Sequence, residues 1–157
     1  MKKKREVSVI KVYNEKSDSR EAEVSREVKK SFLDIWPWLK NNKENKISIF
    51  HNIKCFSETV KDLDIVIIGD LPAEPEITVR LTSNGHPVNK IKIRSFCFTV
   101  ELKEHPPERV SFSGSKLFVD YSGKKSCVTD QSEAQKFSLK NYLEDSCVIS
   151  SAPFIQT

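Results

Sequence analysis

The segment DIVIIGD, residues 64 to 70, sets four apolar side chains in succession, Ile65 to Ile68, behind a leading Asp64. A strand with one wet face alternates apolar with polar residues, so an almost unbroken apolar run reads as a strand covered on both faces. Such a strand needs packed layers on either side of it, and the chain supplies two helical segments to build them. The expected class is therefore α/β. A length of 157 residues leaves room for one domain with a substantial core.

Residues 1 to 16 read as a charged arm containing a short strand at VSVIKVY, and residues 17 to 157 as the domain proper. SDSREAEVSREVKKSFLDIW predicts the first helix, with Asp18 and Glu21 spaced as a capping box and Pro37 closing the segment. After the polar NNKENK loop, ISIFHNIKCF reads as a strand, then DIVIIGD, then a proline-rich turn over 70–75. EITVRL and NKIKIRSFCFTVELK follow as strands, and Asn84-Gly85 between them is a hairpin signal. Two short strands lie around RVSFSG and KLFVDYSG, and DQSEAQKFSLKNYLED predicts the second helix, capped by Asp130 with Glu133. CVISSAPFIQT reads as a final strand; stopping there while the chain starts on Met1, it suggests the N-terminal part of a longer protein.

A net charge of +4, with 31% charged residues, suits a polyanionic partner without requiring one. Cys55, Cys97, Cys127 and Cys147 have no zinc-ligand spacing, and their largely apolar surroundings suggest buried thiols in a reducing compartment. MKKKR resembles the start of a signal peptide, but EVSVIKVYNEK provides no continuous apolar stretch behind it. The expected location is the cytoplasm. Lys2 to Arg5 are most simply a solvated terminus.

In SFCFTVELK, Phe96, Phe98, Val100 and Leu102 share one face, read as the core face; Cys97, Thr99, Glu101 and Lys103 share the other. Taken alone, Glu101 and Lys103 are a solvent-facing ion pair worth at most about 1 kcal/mol. A second acid at the same place changes that reading. Asp64 heads a buried strand, where a lone carboxylate is costly. Paired strands would bring it to Glu101 and Lys103, and two carboxylates with water suit Mg²⁺. Asp62 is its rival. In the first helix Val24, Val28, Phe32, Ile35 and Trp36 fall within roughly 60° of Glu21, placing that acid at the centre of the packed stripe. In the second, Gln131, Gln135, Ser138 and Tyr142 form a polar stripe, more simply a solvated face than a site.

A Glu early in the first helix (REAEVSREV), an Asp opening an apolar strand (DIVIIGD), ExK on the next core strand (VELK) and a Gln-bearing helix (DQSEAQKFSLKNYL) together resemble the nuclease-related domain, NERD, a branch of the PD-(D/E)XK nuclease superfamily. The resemblance spans about residues 19 to 150. It implies a restriction-endonuclease-like mixed β-sheet core flanked by helices in the order αβββαβ. It further implies that Asp64 and Glu101 bind Mg²⁺, for which Mn²⁺ can substitute, and that Lys103 assists the attacking water. Glu21 becomes the accessory acid, and Gln131 the site-facing glutamine with Gln135 the lesser match. Residues 70 to 95 depart from the family, whose members pass from the Asp strand to the ExK strand through a short turn. The implied activity is metal-dependent hydrolysis of phosphodiester bonds in nucleic acid, DNA first, within a bacterial DNA-processing or defence protein. A fused or partner helicase, ATPase or signalling domain is the expected associate.

Two other readings are kept beside it. One is a catalytically silent module that binds nucleic acid or protein through the same surface; the other is a structural adaptor in which Asp64 lies far from Glu101 and Lys103. Trp36 and Trp38 are read as closing the helix end, His105 as structural or solvent-facing, and His51 and His86 carry no signal.

Overall fold

The computed structural model describes residues 9–41, 43–55, 60, 62–72, 77–83, 86–145 and 155–156, with backbone alone at 41, 77–83, 86–93 and 156. In chain order the elements are β1 (Ile10–Val12), α1 (Arg20–Ile35), β2 (Lys46–Lys54), β3 (Asp62–Asp70), β4 (Ile77–Ser83), β5 (His86–Ile93), β6 (Ser95–Val100), β7 (Val110–Ser113), β8 (Lys116–Tyr121), β9 (Lys124–Cys127), α2 (Val128–Asp145) and β10 (Ile155–Gln156). Short 3₁₀ turns occupy Pro37–Asn41 and Pro107–Arg109. The class is α/β, with a mixed sheet, as expected. One sheet has the strand order β1-β2-β3-β6-β10; β4-β5 and β7-β8-β9 form two others. No helix among the described residues is long and apolar enough to cross a membrane.

By internal contacts the chain divides into two compact units, residues 1–50 with 67–97 and residues 51–66 with 98–157. In the first, β1 runs parallel to β2, with Ile10 opposite Ile47 and Val12 opposite Ile49, and all four side chains are buried. The charged arm thus holds a strand at Ile10–Val12, while Lys2 to Arg5 lie outside the described residues. Helix α1 starts one residue later than the capping box predicts. The hydroxyl of Ser19 accepts from the Ala22 N–H at 3.2 Å, and Asp18 stays exposed outside the helix. The buried residues of α1 are Ala22 and Ser25, whereas Ile35 is 69% exposed. On a helical wheel that pair lies about 40° to 100° round from Glu21. Glu21 is consequently half-buried at the margin of the covered face and not at its centre. Small side chains permit the closest approach, so Ala22 and Ser25 outrank the bulkier stripe. Trp36, the C-cap residue, donates its N–H to the Phe32 carbonyl, and its ring lies 6.1 Å from that of Trp38, closing the helix end.

The run read as one long strand over 89–103 is two, β5 and β6, parted at Arg94, whose carbonyl accepts from the Leu71 N–H at 2.7 Å. Strands β4 and β5 form the expected antiparallel hairpin, Ile77 opposite Ile93 and Ser83 opposite His86, with a register shift between Leu81 and Thr82. Asn84-Gly85 lies outside the described residues.

The deeper face of β6 is the one opposite to that expected. Cys97 and Thr99 are buried, while Phe96, Phe98 and Val100 are only half-buried. Alternation separates two faces, but where both are covered it does not say which lies deeper; here the large rings reach the margin and the small side chains lie beneath. The Phe96 ring stacks at 6.2 Å on that of Phe32 and lies across Gly69. A Cβ on Gly69 would stand 2.2 Å from Phe96 Cζ. Glycine here is a packing requirement of the strand. Gly69→Ala is expected to destabilise the protein by about 1–3 kcal/mol, measured by urea denaturation, with Phe96→Leu recovering most of the loss.

Burial pushes the thiol pKa of Cys97 from 9.0 up to about 11, and Cys55 is buried as well. Both are expected to resist a disulfide exchange reagent at pH 8 until the chain is unfolded, while half-buried Cys127 reacts first among these three. Mass spectrometry of the labelled protein checks the order. Cys147 lies outside the described residues.

In the second unit, β7, β8 and β9 form an antiparallel meander. Its third strand, KKSC, has no apolar alternation to mark it in the sequence. The turn into it is written more plainly. Ser122 and Gly123 both adopt positive φ, 56° and 91°, as a two-residue hairpin loop with right-handed strand twist demands, and the Asp120 carboxylate accepts from the Gly123 N–H at 2.6 Å. Helix α2 begins at Val128, two residues ahead of the predicted cap. Asp130 therefore stands in the first turn, where it accepts from Lys116 Nζ at 2.8 Å. Cys55, Leu63, Ile65, Val66, Val119, Val128, Leu139 and Ile155 supply the buried apolar side chains among the described residues of this unit. Of the predicted last strand, Ile155–Gln156 is strand and the other residues lie outside the described set.

Candidate functional site

Glu101 is the centre around which the polar side chains of the second unit gather. It lies one residue past the end of β6, so ExK belongs to the segment leaving the strand and not to the strand itself. Its side chain is only 7% exposed. A carboxylate at that depth needs partners on both oxygens. Gln131 Nε2 donates to Oε1 at 2.6 Å, and Gln135 Nε2 donates to Oε2. Lys103 Nζ forms an ion pair with Oε1. The expected solvent-facing pair is thus a largely covered one, held by two amides from a helix.

Those amides come from α2, where residues four apart stand on one helical face. Val128 and Leu139 anchor that face, and Gln135 and Ser138 are buried beside them at 2% and 3% exposure. The polar stripe is inward-facing, contrary to its plainer reading as a solvated face. Gln131 and Tyr142 are half-buried at its margin. Ser138 continues the pattern by accepting from the Val60 N–H at 3.2 Å. Gln135, the lesser match in the sequence, is the more deeply buried of the two glutamines and holds an oxygen of its own.

Asp64 reaches the same neighbourhood from β3, the strand next to β6 in the sheet. Its Oδ2 accepts from the Leu102 N–H at 2.7 Å, which fixes it against the peptide between Glu101 and Lys103. The adaptor reading, in which Asp64 lies far from these residues, does not describe this geometry. Asp62 is exposed and pairs with Lys54 Nζ at 2.8 Å at the surface. Strand β3 begins at Asp62, so Asp64 is its third residue and not its first. Alternation decides between the two acids only in part: both share a parity, and the difference is how far along the strand the covering layer starts.

Burial of the Lys103 ammonium pulls its pKa down, but the hydrogen bond and charge of Glu101 outweigh this, with Tyr121 and Asp64 adding, and the net direction is upward from 10.5. Lys103 is therefore a charged donor at neutral pH. Tyr121, at the end of β8, and His105, two residues beyond Lys103, stand beside this group. Their rings meet edge to face with centroids 4.6 Å apart. Neither the spacing nor the composition of KLFVDYSG marks Tyr121 in the sequence. Glu21 belongs to the first unit, half-buried in the first turn of α1.

Among the described residues no group of three or more His, Cys, Asp or Glu side chains could hold a metal ion. Asp64 and Glu101 offer two carboxylates, a hard-oxygen set of the size that Mg²⁺ accepts when waters fill the remaining positions. The donor chemistry fits that ion and not a thiolate- or imidazole-preferring one. Comparison with known proteins matches this chain to no family model, no curated protein and no solved structure.

Proposed function

We propose that this chain is a Mg²⁺-dependent nuclease domain of the NERD type, with a restriction-endonuclease-like fold, hydrolysing phosphodiester bonds in DNA. The observation that carries the reading is the convergence on Glu101. A carboxylate from β3, the carboxylate and ammonium of ExK, and the glutamines of α2 come from distant parts of the sequence, and each touches Glu101 or the peptide following it. Asp64 and Glu101 would hold the metal, which supplies activation of water and neutralisation of charge on phosphorus.

The remaining roles belong to the chain. Lys103, held in its charged form, donates to the attacking water or to the oxygen on which charge develops. It is a donor rather than a base. Gln131 and Gln135 fix the plane of the Glu101 carboxylate, and the Leu102 N–H fixes Asp64, so both acids are oriented before substrate arrives. Such preorganisation is where catalytic electrostatics gain most of their effect.

A second reading is favoured by one specific observation: both oxygens of Glu101 are already engaged, and a metal must share or displace those partners. In that reading the surface binds nucleic acid or a protein without cutting. The deciding experiment is Mg²⁺- or Mn²⁺-dependent cleavage of linear, circular and single-stranded DNA by the protein, compared with Asp64→Ala and Lys103→Ala. Cutting that depends on metal and on both residues supports the nuclease. Equal background in all three, with retained DNA binding, supports the silent module.

A further inference from the structure

The pair formed by Tyr121 and His105 is not used by the chemistry proposed for Glu101, Lys103 and Asp64. Tyr121 ends β8, with Lys124 opposite it in the ladder, and the residue is 40% exposed. The His105 ring meets it edge to face at 4.6 Å, and such a pair holds both rings in a fixed attitude. The Pro107–Arg109 turn packs on β8, which seats the segment leaving Lys103 along that strand. His105 lies two residues beyond Lys103, so its contact with Tyr121 brings that ring to the same stretch of chain. The result is a half-open aromatic surface beside a half-buried ammonium, with exposed Lys124 and Lys125 at the tip of the adjoining hairpin. Exposed Glu104 and Glu108 lie in the segment that carries His105.

We propose that Tyr121, braced by His105, is a stacking platform for one unpaired base of a single-stranded nucleic acid whose backbone passes Lys103. The inference rests on the nuclease reading for the position of that backbone. A ring open to solvent beside a cation suits a base with its phosphate: the base covers the apolar face, and the ammonium meets the charge. A base within a duplex has its faces stacked already. The platform therefore selects single strands, frayed ends or gaps over intact duplex.

The test uses a fluorescein-labelled oligothymidylate and a blunt duplex of equal length, bound in EDTA so that no cleavage intervenes and read by fluorescence anisotropy. The single strand is expected to bind more tightly than the duplex. Tyr121→Ala is expected to weaken single-strand binding roughly ten-fold, within the range measured for loss of one base-stacking aromatic, and Tyr121→Phe to retain it. A 5-iodouracil oligonucleotide, irradiated on the wild-type protein, should crosslink to Tyr121 or His105 and be located by peptide mass spectrometry. Circular dichroism of each variant separates a lost contact from a lost fold. Binding by Tyr121→Ala equal to wild type, or crosslinks confined to other residues, overturns the platform. If Lys103→Ala stops cleavage while Tyr121→Ala binds normally, the platform alone fails. If binding depends on Tyr121 and no cleavage occurs with metal, the platform stands and the nuclease reading fails.

Discussion

Lys103→Ala is expected to reduce metal-dependent DNA cleavage by about 10²–10³-fold, the loss seen when one preorganised donor to a developing charge is removed. The side chain is 25% exposed, so the space left by truncation admits water, which restores solvation but not a fixed positive charge. Asp64→Ala should remove activity more completely, because it takes away one of the two carboxylates proposed to hold the metal. The two variants are separable by titration with Mn²⁺. Asp64→Ala should need far more metal for any residual cutting, whereas Lys103→Ala should show a near-normal metal requirement and a lowered maximal rate. Identical metal dependence in both would mean that Asp64 is not a ligand. Lys103→Arg restores charge but not the compact ammonium, and is expected to recover only part of the rate.

Glu101→Ala carries the largest expected change in stability, about 2–4 kcal/mol, because truncation strands three donors around a site that is nearly closed to water. Gln135, at 2% exposure, has the least chance of finding a replacement partner. Glu101→Gln should cost less, about 1–2 kcal/mol, since one oxygen still accepts while the new amide faces another donor. The pair also has a pH signature. Lys103 holds its proton above the ordinary lysine value of 10.5, so its stabilisation is fully present below that value. It is lost as pH rises through the higher folded value. The stability gap between wild type and Lys103→Met should therefore be flat through neutrality and close only in strong alkali. Urea midpoints at pH 7, 9 and 11 measure this directly. A Glu101→Ala protein as stable as wild type would show that the network contributes orientation and no stability.

Local spacing makes part of this site legible in the sequence, while the grouping of Asp64, Glu101 and Lys103 with the glutamines is what the resemblance to NERD implies. The i, i+4 separation of Gln131 and Gln135 puts both on one face of α2, and the parity of β6 carries from Cys97 through Thr99 to Glu101. What local rules omit is depth. They name the two faces of β6 but not the buried one, and they show a polar stripe on α2 without showing that Glu101 lies under it. The same omission moved the covered face of α1 to Ala22 and Ser25, since bulk predicts burial poorly where close approach favours small side chains. Tyr121 was silent for another reason: its neighbour His105 is sixteen positions away, and only the packing of the chain after Lys103 against β8 brings them together. Of the meander, the strands around RVSFSG and KLFVDYSG are legible in the sequence, whereas the polar strand KKSC is not.

A peptide N–H, that of Leu102, donates to Oδ2 of Asp64. Any residue except proline supplies that donor, so this contact depends on the path of the backbone at position 102 and not on the identity of the half-buried side chain there. Relatives that keep this contact need share no letter with this chain there, and recognising them will take a comparison of backbone paths where residue identity is mute.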